Sequence, residues 1–204
     1  PARPVPAVPD HPQTLFSIAT DPELSATMVQ ITCKHPLAHT GTAADYRRHL
    51  VEGLYQEIMN QRLGERVLEA PPPYLGAGVE KSRLVRVKDM AAQGAMVKEG
   101  RYAEGLTTLL QESRRAGRDG FTTAELDRAK ASVIRAMEQA YAEREKTESS
   151  SYAREYSSHF LEGEPIPGIE HELKMTQQFL GEISLAEVNR ASDRWMTESN
   201  RVIL

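Results

Sequence analysis

The chain has 204 residues, 40% of them hydrophobic and 26% charged, with a formal net charge of -4 at pH 7. That size suits one domain with a sizeable core, and no apolar run approaches the roughly 18 residues that a membrane-spanning helix needs. The mildly acidic balance, with Lys and Arg interspersed among Asp and Glu, excludes a polyanion-binding surface, so nucleic acid is not an expected partner.

Residues 1–12, PARPVPAVPDHP, carry five prolines and little to bury, which predicts an extended linker ahead of a single domain over residues 13–204. Leu15, Phe16, Ile18 and Ala19 make a short strand candidate, and Asp21-Pro22 turns the chain. From Met28 to Lys34, Val29, Ile31 and Cys33 alternate with Gln30, Thr32 and Lys34, the period of a half-buried strand. Cys33, the single cysteine, has no internal disulfide partner and reads as a small core residue. One such thiol is compatible with either the bacterial periplasm or the cytoplasm.

Thr42 opens a stretch in which Tyr46, Leu50, Leu54 and Ile58 repeat every four residues, a long amphipathic helix running to about Leu68. Pro71 to Pro73 end it. Between Gly76 and Lys98 valines, glycines and alternating charge predict an antiparallel pair joined near Lys88-Asp89. Tyr102 to Arg115 follows as a helix through Leu106, Leu109 and Leu110.

Thr122 and Glu125 then form a capping box, the hydroxyl taking one free amide and the carboxylate reaching back for another. The helix it starts carries Leu126, Ala129, Val133, Ala136, Met137 and Ala140 on one stripe. The serine run near Ser149 breaks it, because serine side chains compete for backbone partners. Tyr152, Tyr156 and Phe160 resume helical spacing, Tyr152 and Tyr156 are read as core in preference to a substrate surface, and Gly163 closes the segment as a C-cap. Ile169 to Leu180 is a further helix, Ser184 and Glu187 cap a last one through Val188, Ala191 and Trp195, and Val202 to Leu204 closes as a strand. The expected class is α+β, a mostly antiparallel sheet of about five strands covered on one face by helices.

Three strings, YRRHLVEGLYQEIMNQRL, GFTTAELDRAK and SSSYAREYSSHFLEGEPIPGIEHE, occur in that order at residues 46–63, 120–130 and 149–172. Together they resemble the non-catalytic repeat in the amino-terminal half of pitrilysin-type, insulin-degrading-enzyme-like zinc metallopeptidases, over about Thr14 to Leu204. The resemblance implies the processing-peptidase-like repeat fold. It also implies a parent enzyme holding zinc, a catalytic repeat of the same parent chain as partner, and a peptide as substrate. Pro1 without an initiating methionine and the apolar ending RVIL fit a piece excised from such a parent.

Catalysis in that family rests on an inverted H-x-x-E-H motif, whose two histidines one helical turn apart converge on one ion. The sequence has no such motif. His35 and His39 stand four apart, but Pro36 intervenes and no glutamate lies between them, so they read as loop histidines. His171 has Met175 where a partner would stand, and His11, His49 and His159 have none at ligand spacing. Glu143, Glu145 and Glu148 with Arg144 and Lys146 read as a solvated charge run. No G-x-S-x-G, P-loop or dinucleotide fingerprint occurs. No catalytic, cofactor-binding or metal residue is therefore assigned, and zinc is expected only in the parent. The expected role is a structural domain helping enclose peptide beside a catalytic repeat. The alternative is a scaffold or assembly domain of a wholly non-catalytic relative.

Overall fold

The structure is a computed structural model that describes residues 6–204. Residues 1–5 of the predicted linker lie outside the described residues. Of the remainder, Pro9 accepts from Lys34, Asp10 takes the Lys88 ammonium at 2.6 Å and the His11 amide donates to the Asn200 side chain. The elements are β1 (Leu15–Phe16), β2 (Thr27–Pro36), α1 (Ala43–Arg66), β3 (Gly76–Val85) and β4 (Lys88–Val97), then α2 (Tyr102–Asp119) and α3 (Thr123–Ala142). A three-residue 3-10 turn, Arg144–Lys146, precedes α4 (Ser149–Glu162), α5 (Ile169–Glu182), α6 (Leu185–Trp195) and β5 (Arg201–Ile203). The class is α+β, with a five-stranded sheet in the order β1-β5-β2-β4-β3 whose pairings are antiparallel except β1 with β5.

The chain forms two compact units. The first runs through Ala38, resumes over Tyr55–Phe121 and ends with Asn189–Leu204; the second comprises His39–Leu54 and Thr122–Val188.

In the first unit the alternation of β2 is realised: Val29, Ile31 and Cys33 are buried and Met28 is exposed. The register sets Val29 opposite Ala95, Ile31 opposite Gln93 and Cys33 opposite Ala91, so the same face is buried across both strands. Helix α2 packs on this pair. It lies close because Gly105 has no side chain: a Cβ there would stand 2.4 Å from a Val97 methyl carbon. Gln93 is fully buried yet satisfied, its amide donating to the Leu109 carbonyl at 2.9 Å and its oxygen accepting from the Ser113 hydroxyl. An aromatic group completes the core, with the Tyr55 ring 4.9 Å from Trp195 and 5.5 Å from Phe121. Gly120 (φ 68°) brings the chain into Phe121, whose amide donates to Asn189, while Arg62 donates to the Gly120 carbonyl and lies over the Phe121 ring.

In the second unit α3 packs on α5 and the Lys130 ammonium donates to the Ile183 carbonyl. The Thr122–Glu125 capping box is formed in full. Tyr46 shares a 2.8 Å hydrogen bond with the buried Thr176 hydroxyl, and Arg47 pairs with Glu187 at 2.7 Å. The apolar stripe of α3 fades along its length: Leu126 and Ala129 are buried, Val133 and Met137 partly covered, and Ala136 and Ala140 exposed. Helix α4 departs from the reading of its tyrosines as core. It buries no residue, and Tyr152, Tyr156 and Phe160 are 42%, 59% and 86% exposed. The four-residue spacing marks an apolar face but does not say that the face is covered.

Candidate functional site

The long free edge of the sheet is β3, bonded only to β4. An edge strand presents a row of amide and carbonyl groups that an extended peptide can complete. At its centre this edge is closed from within the chain. The Asn60 side chain, on α1, accepts from the Val79 amide at 2.7 Å and donates back to the Val79 carbonyl at 3.3 Å. One primary amide thereby copies the pair of bonds that a neighbouring strand would make. Gly78 allows this approach, since even a Cβ would stand 3.3 Å from the Asn60 oxygen. Nothing in the local sequence marked Asn60, which sits among helix-compatible polar residues 19 positions from its partner.

Beside this edge, Leu24, Thr27, Leu75, Met96 and Lys98 line an open hollow of about 490 Å³. Leu24, Leu75 and Met96 there are solvent-exposed, so the hollow offers apolar contact, the Ser25 and Thr27 hydroxyls and the single charges of Lys98 and Glu99, with no histidine or second carboxylate to activate a hydroxyl. A second depression of about 450 Å³, in the other unit, is lined by Tyr141, Arg144, Gly168, Glu170, His171 and Lys174. Its charges are largely engaged: Lys174 bonds Glu170 at 2.9 Å and Arg144 lies over the Tyr141 ring.

The histidines are dispersed onto separate partners. His35 meets the Trp195 carbonyl at 3.0 Å, His39 bonds Asp45 at 2.8 Å, His11 meets the Gln13 carbonyl and His159 the Glu164 carbonyl. His49 and His171 are exposed. His39 and Asp45 belong to the start of α1, where Asp45 also accepts from the Thr42 amide and hydroxyl and from Arg48. These donors, His39 foremost, hold the Asp45 carboxyl far below its ordinary range. That is a helix-start brace, not a hydrolytic triad, because the Thr42 hydroxyl is spent on Asp45 itself. Cys33 is buried, its thiol donating to the Thr197 carbonyl, and burial raises its pKa, which agrees with a core role. Glu143, Glu145 and Glu148 are exposed, as a solvated charge run requires. Among the described residues no three His, Cys, Asp or Glu side chains come together in a way that could hold a metal ion. The described residues offer no ligand set that fits zinc. No described helix is long and apolar enough to cross a membrane.

No model of a known protein family matches the chain. It is 30% identical over 203 residues to a zinc protease PQQL-like protein of Arabidopsis thaliana, a match that takes in 100% of this chain and 18% of that protein. The chain thus spans under a fifth of the length of the curated relative it matches. Its fold superposes with a TM-score of 0.90 on the first half of the periplasmic protease PqqL from Escherichia coli, at 13% identity, covering 99% of this chain and 43% of that one. It also superposes with a TM-score of 0.66 on a peptidase M16 inactive domain from Pseudomonas fluorescens, at 15% identity, covering 100% of this chain and 46% of the other. The motif order in the sequence, the fold and the relationship along the whole of this chain agree: the chain belongs to the pitrilysin, or insulin-degrading-enzyme-like, zinc metallopeptidase family.

Proposed function

We propose that this chain is a structural domain of a zinc-dependent metalloendopeptidase, where it helps wall the chamber that encloses peptide beside a catalytic repeat of the same parent. The observation that carries the reading is the pairing of identity along the whole chain to a zinc protease with a sequence that has no inverted H-x-x-E-H motif. The closed centre of β3 supports a wall role, since a peptide adding as a strand there has to displace Asn60 from Val79. Enclosure works by access: a chamber admits a chain that can enter extended and rejects a folded one. Zinc and its activated water belong to the catalytic repeat, and the peptide is a partner of the parent as a whole. The periplasmic setting of the Escherichia coli relative supports the periplasm as the parent's compartment.

The test is a peptidase assay with added zinc on this chain and on the full-length parent, using an unfolded peptide and a folded protein as alternative substrates. Cleavage of the unfolded peptide by the parent alone is expected. Hydrolysis by this chain overturns the proposal, and an inactive parent without H-x-x-E-H moves the assignment to the scaffold reading.

A further inference from the structure

Burial separates the seven methionines of the chain. Met59 is fully buried, Met90, Met137, Met175 and Met196 are partly covered, and Met28 and Met96 are 62% and 42% exposed. The two exposed ones are register partners, Met28 on β2 opposite Met96 on β4.

Backbone hydrogen bonding sets how close that pair lies. Gln30 exchanges both of its backbone bonds with Leu204, at 3.0 and 2.8 Å, on the β5 side of β2. Amide and carbonyl directions alternate along a strand, so Met28 also turns its groups away from β4, while Val29 turns its own toward Ala95. Met28 and Met96 therefore form a non-hydrogen-bonded pair, in which facing Cα atoms stand about 4.5 Å apart and side chains approach most closely. Their side chains leave the sheet on the face opposite buried Val29 and Ala95, which is the open one. Met96 also lines the hollow that holds Leu24, Leu75 and the Lys98 ammonium. Oxidation of a thioether replaces an apolar, flexible group by a polar one. At Met96 it brings a hydrogen-bond acceptor into the same hollow as that ammonium.

We propose that Met28 and Met96 are a paired, reversible oxidation site that turns this hollow from apolar to polar. The sulfur lone pair attacks one oxygen of hydrogen peroxide and the O–O bond breaks. The hydroxide that leaves takes the proton from the new S–OH, giving the sulfoxide and water; sulfur loses two electrons and the peroxide gains them. A methionine sulfoxide reductase for each sulfoxide epimer returns the thioether. Pair and hollow both belong to this chain, so the site does not depend on the parent's peptidase activity.

The experiment titrates this chain and the full-length parent with hydrogen peroxide and quantifies sulfoxide at each methionine by mass spectrometry. Met28 and Met96 are expected to reach half-oxidation at a dose at least about tenfold below Met59, and ahead of the four partly covered methionines, with circular dichroism unchanged. Treatment with both sulfoxide reductases is expected to restore them. Methyl-labelled NMR reads the hollow. A nuclear Overhauser contact between the Met28 and Met96 methyls is expected before oxidation, and shifts at Leu24 and Leu75, with buried Leu109 unmoved, after it. Met96→Leu keeps the apolar bulk and is expected to abolish the leucine shifts while Met28 is still oxidised. Oxidation of all seven at one dose, oxidation only after the circular dichroism is lost, protection of both residues in the parent, sulfoxides that the reductases leave in place, no contact between the two methyls, or leucine shifts that are absent in the wild type or persist in Met96→Leu each overturn the proposal.

Discussion

Replacing Asn60 with alanine removes the acceptor of the Val79 amide and the donor to the Val79 carbonyl in one step. Val79 is 5% exposed, so its freed groups are only partly rehydrated. Leaving a buried donor or acceptor without a partner costs about 1–3 kcal/mol, and partial access of water at a sheet edge puts Asn60→Ala at about 1–2 kcal/mol. Asn60→Asp separates hydrogen bonding from shape. A carboxylate still accepts from the Val79 amide, but it turns a second acceptor toward the Val79 carbonyl, so it is expected to destabilise at least as much as alanine. Urea unfolding gives the overall change, and amide hydrogen exchange localises it, with Val79 losing protection while Ile31 at the sheet centre keeps it. A change below about 0.5 kcal/mol with Val79 exchange unaltered refutes the claim that this side chain closes the edge.

Gly120→Ala forces a non-glycine residue to φ 68° and drives a Cβ to 2.7 Å from the Asn189 amide nitrogen, so a loss of at least about 1–3 kcal/mol is expected in thermal unfolding. A melting temperature equal to wild type contradicts the geometry. Glu187 accepts from Arg47 and from the Ser184 amide, which lowers its pKa to about 2. A carboxyl depressed on folding contributes stability that is complete above its ordinary value near 4.5 and is lost as pH falls toward 2. Glu187→Gln is therefore expected to flatten stability over that window, by on the order of 1 kcal/mol because Arg47 and Glu187 are both partly hydrated. An unchanged pH profile counts against it. Cys33 is expected to resist a thiol reagent such as DTNB in the native chain and to react fully once the chain is unfolded. Rapid native labelling contradicts its burial.

Much of the fold was legible because local signals and tertiary packing agree. The Thr122–Glu125 capping box and the alternation in β2 each need only a few consecutive residues, and each is found, while the turn between β3 and β4 falls at residues 86–87, just before the Lys88-Asp89 junction read from the sequence. Features made by distant pairs were not legible. Asn60 closes an edge that comes 19 residues later in the chain, and Gly120 is held by Asn189. The division into two units was hidden for the same reason, since each is assembled from segments far apart in sequence. Tyr152, Tyr156 and Phe160 show a different limit. Spacing reports that a helix has an apolar face, while whether this chain or another covers that face depends on surroundings the periodicity does not encode. On the chemical side the reading depended on absence of a pattern, and the structure adds where the imidazoles go: His35, His39, His11 and His159 each have a separate neighbour.

The central claim, that this repeat contributes structure and leaves the metal to another part of the parent, is tested most directly by measuring zinc. This chain and the full-length parent are dialysed against the same zinc buffer and their bound metal is counted by inductively coupled plasma mass spectrometry. Stoichiometric zinc in the parent and none above background in this chain is the expected result. Stoichiometric zinc retained by this chain alone contradicts it.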